Sequence, residues 1–300
     1  MFNWRKPATP APALAPAPAG IQTSHPNGHF YSPVVDPDEL GARIAEIWPE
    51  NPAPLAGIDF DEHSHREILD QWFPEFISGY DYPELESETS SEYGFYTQNS
   101  QFSWLDSRTL FVFLRKLRAR QFIEVGSGFS SLLAADVNLR FLGGECQVSC
   151  IEPYPRAFLK NGVPGISSLV EKKVQELDPI FFSQLDKGDI LFIDSSHVSK
   201  TGSDVNYLVF EVLPRLKPGV LIHIHDIFLP HEYPKEWVLA ENRSWNEQYL
   251  VRALLMYSST FKVVFGCSYA FHKYPQAVIS ALNLESKAGF GGGSLWIRKN

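Results

Sequence analysis

The chain has 300 residues, with 26 Lys plus Arg against 35 Asp plus Glu, a net charge of −9. That balance argues against a nucleic-acid-binding role, because phosphate neutralisation calls for a basic excess or stripe, and the densest basic run here is only Arg115-Lys116-Leu117-Arg118. Hydrophobic residues at 44% and charged residues at 20% suit a globular core, and no apolar run nears the ~20 residues that span a bilayer.

Met1 to Gly20 lacks the apolar stretch of a signal peptide, so the expectation is a soluble cytoplasmic protein with no membrane partner. The three cysteines, Cys146, Cys150 and Cys267, show no C-x-x-C spacing, which leaves neither a disulfide framework nor a zinc knuckle. Residues 7–19 carry a proline at nearly every second or third position, and residues 1–22 read as a disordered Pro/Ala-rich tail. Residues 23–105 are aromatic, acidic and punctuated by proline. They read as an N-terminal extension with helical patches at 38–48 and 65–77 that packs on something else.

From residue 106 the pattern becomes regular. Leu110, Phe111, Phe113, Leu114 and Leu117 occupy the apolar positions of a helix, followed by a strand at 121–125, a helix at 129–142, a strand at 148–151 and a short helix opening at 156–160. Residues 190–193 and 220–224 are continuous apolar runs, as in parallel strands buried on both faces. Between them Val205, Leu208, Val209, Val212, Leu213 and Leu216 mark one helical face, which Lys217-Pro218-Gly219 stops. Ser244-Trp245-Asn246-Glu247 reads as a capping box, and strands at 261–265 and 294–297 close the chain. The expected fold is a doubly wound, Rossmann-like open α/β sheet over 106–300, with ligands beyond the carboxyl ends of its strands.

Those ends carry the chemistry. The first strand runs into Glu124-Val125-Gly126-Ser127-Gly128-Phe129-Ser130-Ser131, a glycine turn into a helix, and Glu152 closes the second, where a carboxylate can accept both ribose hydroxyls. The strand at 190–193 ends in Asp194-Ser195-Ser196-His197 and the strand at 220–224 in His225-Asp226. If those strands are neighbours, Asp194 and Asp226 converge, and two carboxylates meeting at a sheet edge need a cation or a proton between them. Oxygen donors of this kind suit Mg²⁺, Ca²⁺ or Mn²⁺. His197 is placed to act as a general base, His223 reads as structural, and His225 stays open between a ligand, a partner behind a ligand and a packed strand residue.

These motifs together, E-V-G-S-G-F-S-S at 124–131, Glu152, F-I-D-S-S-H at 192–197, L-P-R-L-K-P-G-V at 213–220 and H-I-H-D at 223–226, resemble the class I S-adenosylmethionine-dependent methyltransferases. More narrowly they are similar to metal-dependent small-molecule and sugar O-methyltransferases. The resemblance implies a seven-stranded sheet with its last strand antiparallel. It implies a cofactor site at Glu124, Gly126, Ser127, Gly128, Glu152, Asp194 and Ser195, a divalent cation, Mg²⁺ foremost, at Asp194 and Asp226, and His197 as the catalytic residue. Relatives carry an acidic or amide side chain beside the second aspartate. Here His225 stands there, and it is counted with the metal residues.

The implied reaction is methyl transfer to a hydroxyl of a small molecule, a saccharide or a secondary metabolite. Residues 227–243, long for a connection and rich in aromatics, are expected to form a substrate lid, helped by aromatics from 93–104. The oligomeric state is left open, a homo-oligomer included. An NAD(P)-dependent oxidoreductase on a similar fold would need a glycine where Ser131 lies and leaves Asp194 and Asp226 without a role. A non-catalytic adaptor would use the Pro/Ala segment and the aromatic extension to bind a partner.

Overall fold

The continuous apolar runs become the middle of a seven-stranded sheet. Its strands are β1 (Gln121–Val125), β2 (Gln147–Ile151), β3 (Ser168–Val170), β4 (Ile190–Ile193), β5 (Leu221–Ile224), β6 (Phe261–Gly266) and β7 (Leu295–Lys299), in the order β3-β2-β1-β4-β5-β7-β6. The first five pair in parallel, and β7 lies antiparallel between β5 and β6. The structure, a computed structural model, describes residues 23–89, 91, 93–284 and 291–300. The expected tail at 1–22 lies outside the described residues.

Strand residues alternate between two cores. Phe122, Phe192 and Trp296 face one side, packed on the helices Trp104–Leu117 and Phe129–Phe141, while Ile123, Leu191, Ile222 and Ile297 face the other. This two-sided burial explains why β4 and β5 read as unbroken apolar runs rather than as alternating ones. β3 was not among the strands visible in the sequence. It has only three residues, none of them fully buried, so it has no hydrophobic period to display.

The extension packs on the sheet domain itself. Its residues 62–76 form a helical stretch with one wider turn at Ile68–Trp72, and Ile68, Leu69 and Phe73 are buried in the first core. At the sheet edge, the Gly266 N–H donates to His65 Nε2 (2.8 Å) and the Ser64 hydroxyl to the Val264 carbonyl (2.8 Å). Unpaired backbone groups of the edge strand β6 are thereby occupied. His65 Nδ1 lies 3.0 Å from the Asp61 carbonyl, and burial holds the imidazole below its usual pKa.

Three local expectations change. The patch at 38–48 is two short helices, Pro37–Gly41 and Ile44–Ile47. The helical face at 205–216 is a composite of α, π and 3-10 turns. The capping box does not form: Asn246 occupies the N-cap position of the helix Glu247–Tyr257, and the Ser244 hydroxyl accepts from the Val35 N–H (3.3 Å). Among the described residues, no helix is long and apolar enough to cross a membrane.

Candidate active site

The chain winds from β1 to β3 on one side of the sheet and then crosses to β4, so β1 and β4 flank the switch point. Open α/β sheets bind ligands in the crevice at this place. Gly126 ends β1 with φ +82, and a Cβ there would collide with the Asp194 carbonyl oxygen at the end of β4. Glycine is thus required twice over, by conformation and by the close approach.

Beyond Gly126 the turn is held from the second strand. Glu152 accepts from the Ser127 N–H (3.2 Å) and the Tyr154 N–H (2.8 Å), and burial, the largest influence, raises its pKa. The Ser127 hydroxyl is buried without a partner. A fully buried polar atom at a glycine turn, beside an only partly buried carboxylate, suits a polar ligand such as a nucleoside.

Glu124 has a different place from the other turn residues. Its carboxyl is fully buried beneath the turn, accepting from the Ser130 hydroxyl (2.5 Å) and from that of Ser131. Burial pushes its pKa up to about 7, against the two serine hydrogen bonds. Ser131 also accepts from the Gly128 N–H (2.9 Å), so the position where a dinucleotide fingerprint has glycine carries a side chain that ties the turn together.

The carboxyl ends of β4 and β5 do converge. One ligand atom each from Asp194, His197 and Asp226 lies within 4.8 Å of the others. His197 Nε2 is 3.3 Å from Asp194 Oδ1 and 3.5 Å from Asp226 Oδ2. His225 stands outside this set of three, although its Nδ1 is 3.5 Å from an oxygen of each aspartate. The third convergent residue is thus His197, which the sequence reading had made the base.

Each imidazole turns its second nitrogen to another carboxylate. His197 Nδ1 lies 2.9 Å from Glu247 Oε2, which also accepts from the Ser195 hydroxyl. His225 Nε2 is 3.6 Å from Asp106 Oδ2, and Asp106 is fixed by the N–H groups of Gly293 (3.0 Å) and Ser294 (2.8 Å). Burial works against charge on His197, but Asp194 and Glu247 push it up to about 10. On His225 burial is likewise outweighed by Asp226 and Asp194. Burial also opposes ionisation of Asp194, yet the two histidines hold it well below the carboxylate range. His197 and Asp226 both sit at positive φ, +60 and +57, a conformation that costs non-glycine residues energy and recurs where function demands it.

His223, read as structural, stacks on Phe192 with ring centroids 3.7 Å apart, and its Nε2 meets the Ser294 hydroxyl at 2.7 Å. Burial keeps it well below its usual pKa.

Residues 123–227 match the profile of a family described as a methyltransferase domain. A protein of Archaeoglobus fulgidus, itself described as uncharacterized, is 33% identical over 185 residues, 59% of this chain and 81% of its own length. The chain belongs to the S-adenosylmethionine-dependent methyltransferases. Similar solved structures include the S-adenosylhomocysteine-bound methyltransferase PaMTH1 of Podospora anserina, 15% identical with a TM-score of 0.41 over 88% of this chain and 94% of that one. The O-methyltransferase TomG of Streptomyces achromogenes is 14% identical, with a TM-score of 0.38 over 81% and 92%. The methyltransferase family rests on the domain match over 123–227, and these distant structures add nothing to it.

Two carboxylates that face the clustered histidines, Glu247 and Asp106, have no local signature in the sequence. Glu247 reads as the last residue of a capping box, and Asn246, a favoured N-cap residue that does stand at the N-cap, gives no sign that the Glu247 carboxylate turns to His197. Asp106 lies in the first turn of the helix Trp104–Leu117. Its partners lie 187 and 188 residues downstream, a distance no local pattern spans.

Proposed function

We propose that this methyltransferase acts on a hydroxyl of a small molecule, a saccharide or secondary metabolite, with help from a divalent cation and a histidine. The observation that carries the reading is the convergence of Asp194, His197 and Asp226 at the switch crevice, directly beyond the Gly126 turn. The donors fit a cation: two carboxylates and an imidazole, largely buried and mutually close. A bound cation would lower the pKa of an acceptor hydroxyl.

The remaining work falls to side chains of the chain. Gly126, Ser127 and Glu152 would hold the cofactor, with Asp194 and Ser195 along the opposite strand end and Glu124 stiffening the turn from below. With a bound cation drawing the charge of the carboxylates away from them, one imidazole of the cluster, His197 or His225, would give up its proton and so be free to accept that of the hydroxyl. On the proposed acceptor side, Trp245 packs on His197 (4.3 Å), and the Arg243 guanidinium lies over both Trp245 (4.8 Å) and Trp237 (4.2 Å). Flat aromatic faces of this kind suit a sugar or aromatic ring. Phe102, from the segment expected to help the lid, walls the cluster against His225 at 5.6 Å. A cytoplasmic location is supported by three free, buried cysteines.

The test is calorimetry with S-adenosylhomocysteine, followed by transfer of a labelled methyl group to panels of saccharides and hydroxylated metabolites. Cofactor binding with turnover that chelation removes and added cation restores is expected. Methylation confined to nitrogen or carbon acceptors, or full turnover after chelation, would overturn the reading.

A further inference from the structure

The proposed function leaves open which imidazole touches the cation, and the inference below rests on that reading. The His197 ring is held on every side. Its Nδ1 meets Glu247, and its backbone carbonyl accepts from Asn246 N–H (3.0 Å) and Glu247 N–H (3.2 Å). Its own N–H donates to the Ser195 hydroxyl (3.0 Å), and Trp245 covers its face. With Nδ1–H donated to Glu247 and the Nε2 proton displaced by a cation, Nε2 would offer its lone pair at the place where it meets Asp194 and Asp226. Donors about 2.1 Å from a tetrahedral cation sit about 3.4 Å from each other. The separations of 3.3 and 3.5 Å from Nε2 to the two carboxylates match that edge.

We propose that His197 Nε2 is itself a metal ligand, that Glu247 is the positioning residue behind it, and that the site therefore selects a first-row transition cation over Mg²⁺. Imidazole donors favour Fe²⁺, Co²⁺ and Zn²⁺, whereas Mg²⁺ prefers oxygen and water. A buried carboxylate on the far nitrogen of a metal-binding histidine fixes its tautomer and strengthens it as a donor. Glu247 is 2% exposed and meets that description. His225, outside the convergent three, is then the imidazole left free of coordination.

The experiment uses the full chain stripped with a chelator and titrated calorimetrically with MgCl₂ and with CoCl₂, alongside pulsed EPR of the Mn²⁺-loaded protein to detect coupled ¹⁴N. Co²⁺ is expected to bind at least about 100-fold tighter than Mg²⁺. The Mn²⁺ signal should carry a ¹⁴N coupling that persists in His225→Asn and vanishes in His197→Gln. Glu247→Gln should weaken Co²⁺ binding about 10- to 100-fold while keeping the coupling. Equal affinities for the two cations, no ¹⁴N coupling in the unaltered protein, or a coupling lost only in His225→Asn overturns the proposal. S-adenosylhomocysteine titrated into the same samples separates the failures. A protein that binds it together with Mg²⁺ through oxygen alone loses only this inference, whereas one that binds no cation loses the metal-assisted reading as well.

Discussion

Asp189 and Asp194 bracket the same four-residue strand, β4, and have opposite surroundings. Asp189, at the amino end, accepts from the backbone N–H groups of Arg120 (3.0 Å), Gln121 (2.9 Å) and Asp186 (2.8 Å). Asp194, at the carboxyl end, faces two imidazoles and the second aspartate. A carboxylate saturated by amides fastens the entry to a strand. One left among titratable side chains, next to backbone at positive φ, is placed for chemistry.

Substitutions at the two ends should separate these roles. The largest effect is expected for Asp194→Asn, a drop in kcat/KM of about 10³-fold with the protein still folded, measured by methyl transfer and circular dichroism. Asp189→Ala should do the reverse, costing about 2–3 kcal/mol in urea unfolding by orphaning three amides, with kcat/KM of the folded fraction within about twofold. If Asp189→Ala lowers turnover as much as Asp194→Asn does, the contrast collapses.

Gly126→Ala tests the approach of the two strand ends. It should lower stability by about 2 kcal/mol or more and weaken S-adenosylhomocysteine binding at least about tenfold, because the new Cβ strains the left-handed backbone and collides with the Asp194 carbonyl. Unchanged affinity would mean that the turn does not meet the cofactor.

Glu124 sharpens the comparison through pH. Its folded pKa of about 7 lies above the ordinary value of 4.5 for a glutamate, so the stability it contributes is fully present below about pH 4.5 and is lost as pH rises through about 7. Glu124→Gln should flatten that slope, by up to about 3 kcal/mol across the window, in unfolding experiments at a series of pH values. An unchanged slope would show that the buried carboxyl ionises normally. The smallest effect is expected for Trp48→Phe, which removes the indole N–H donated to the Tyr233 carbonyl (2.8 Å). It should cost about 1 kcal/mol and raise KM for the acceptor without changing KM for the cofactor, if the extension steadies the segment 227–243.

The sheet was largely legible because β4 and β5 are buried on both faces and announce themselves as apolar runs. So was the convergence of Asp194 and Asp226, since each carboxylate stands just past the end of one of two apolar runs that pair as neighbours. The helical stretches were blurred where π turns or short breaks replaced a regular period, as at Ile68–Trp72 and Leu208–Val212. The assignment of the two histidines was out of reach. Whether His197 or His225 joins the aspartates depends on side-chain direction after β4, and there residues 245–247, at the start of the distant helix Glu247–Tyr257, clamp the loop.

The position of β7 bears on biosynthesis. β6 joins the sheet only through β7, and the segment just before β7 supplies the amides that hold Asp106 and the Gly293 carbonyl that accepts from the Ile227 N–H (2.7 Å). These residues leave the ribosome after every other described element. A nascent chain can therefore assemble β1 to β5 and still lack the wall behind His225, so the cluster of aspartates and histidines is completed only once residues 293–299 have been added.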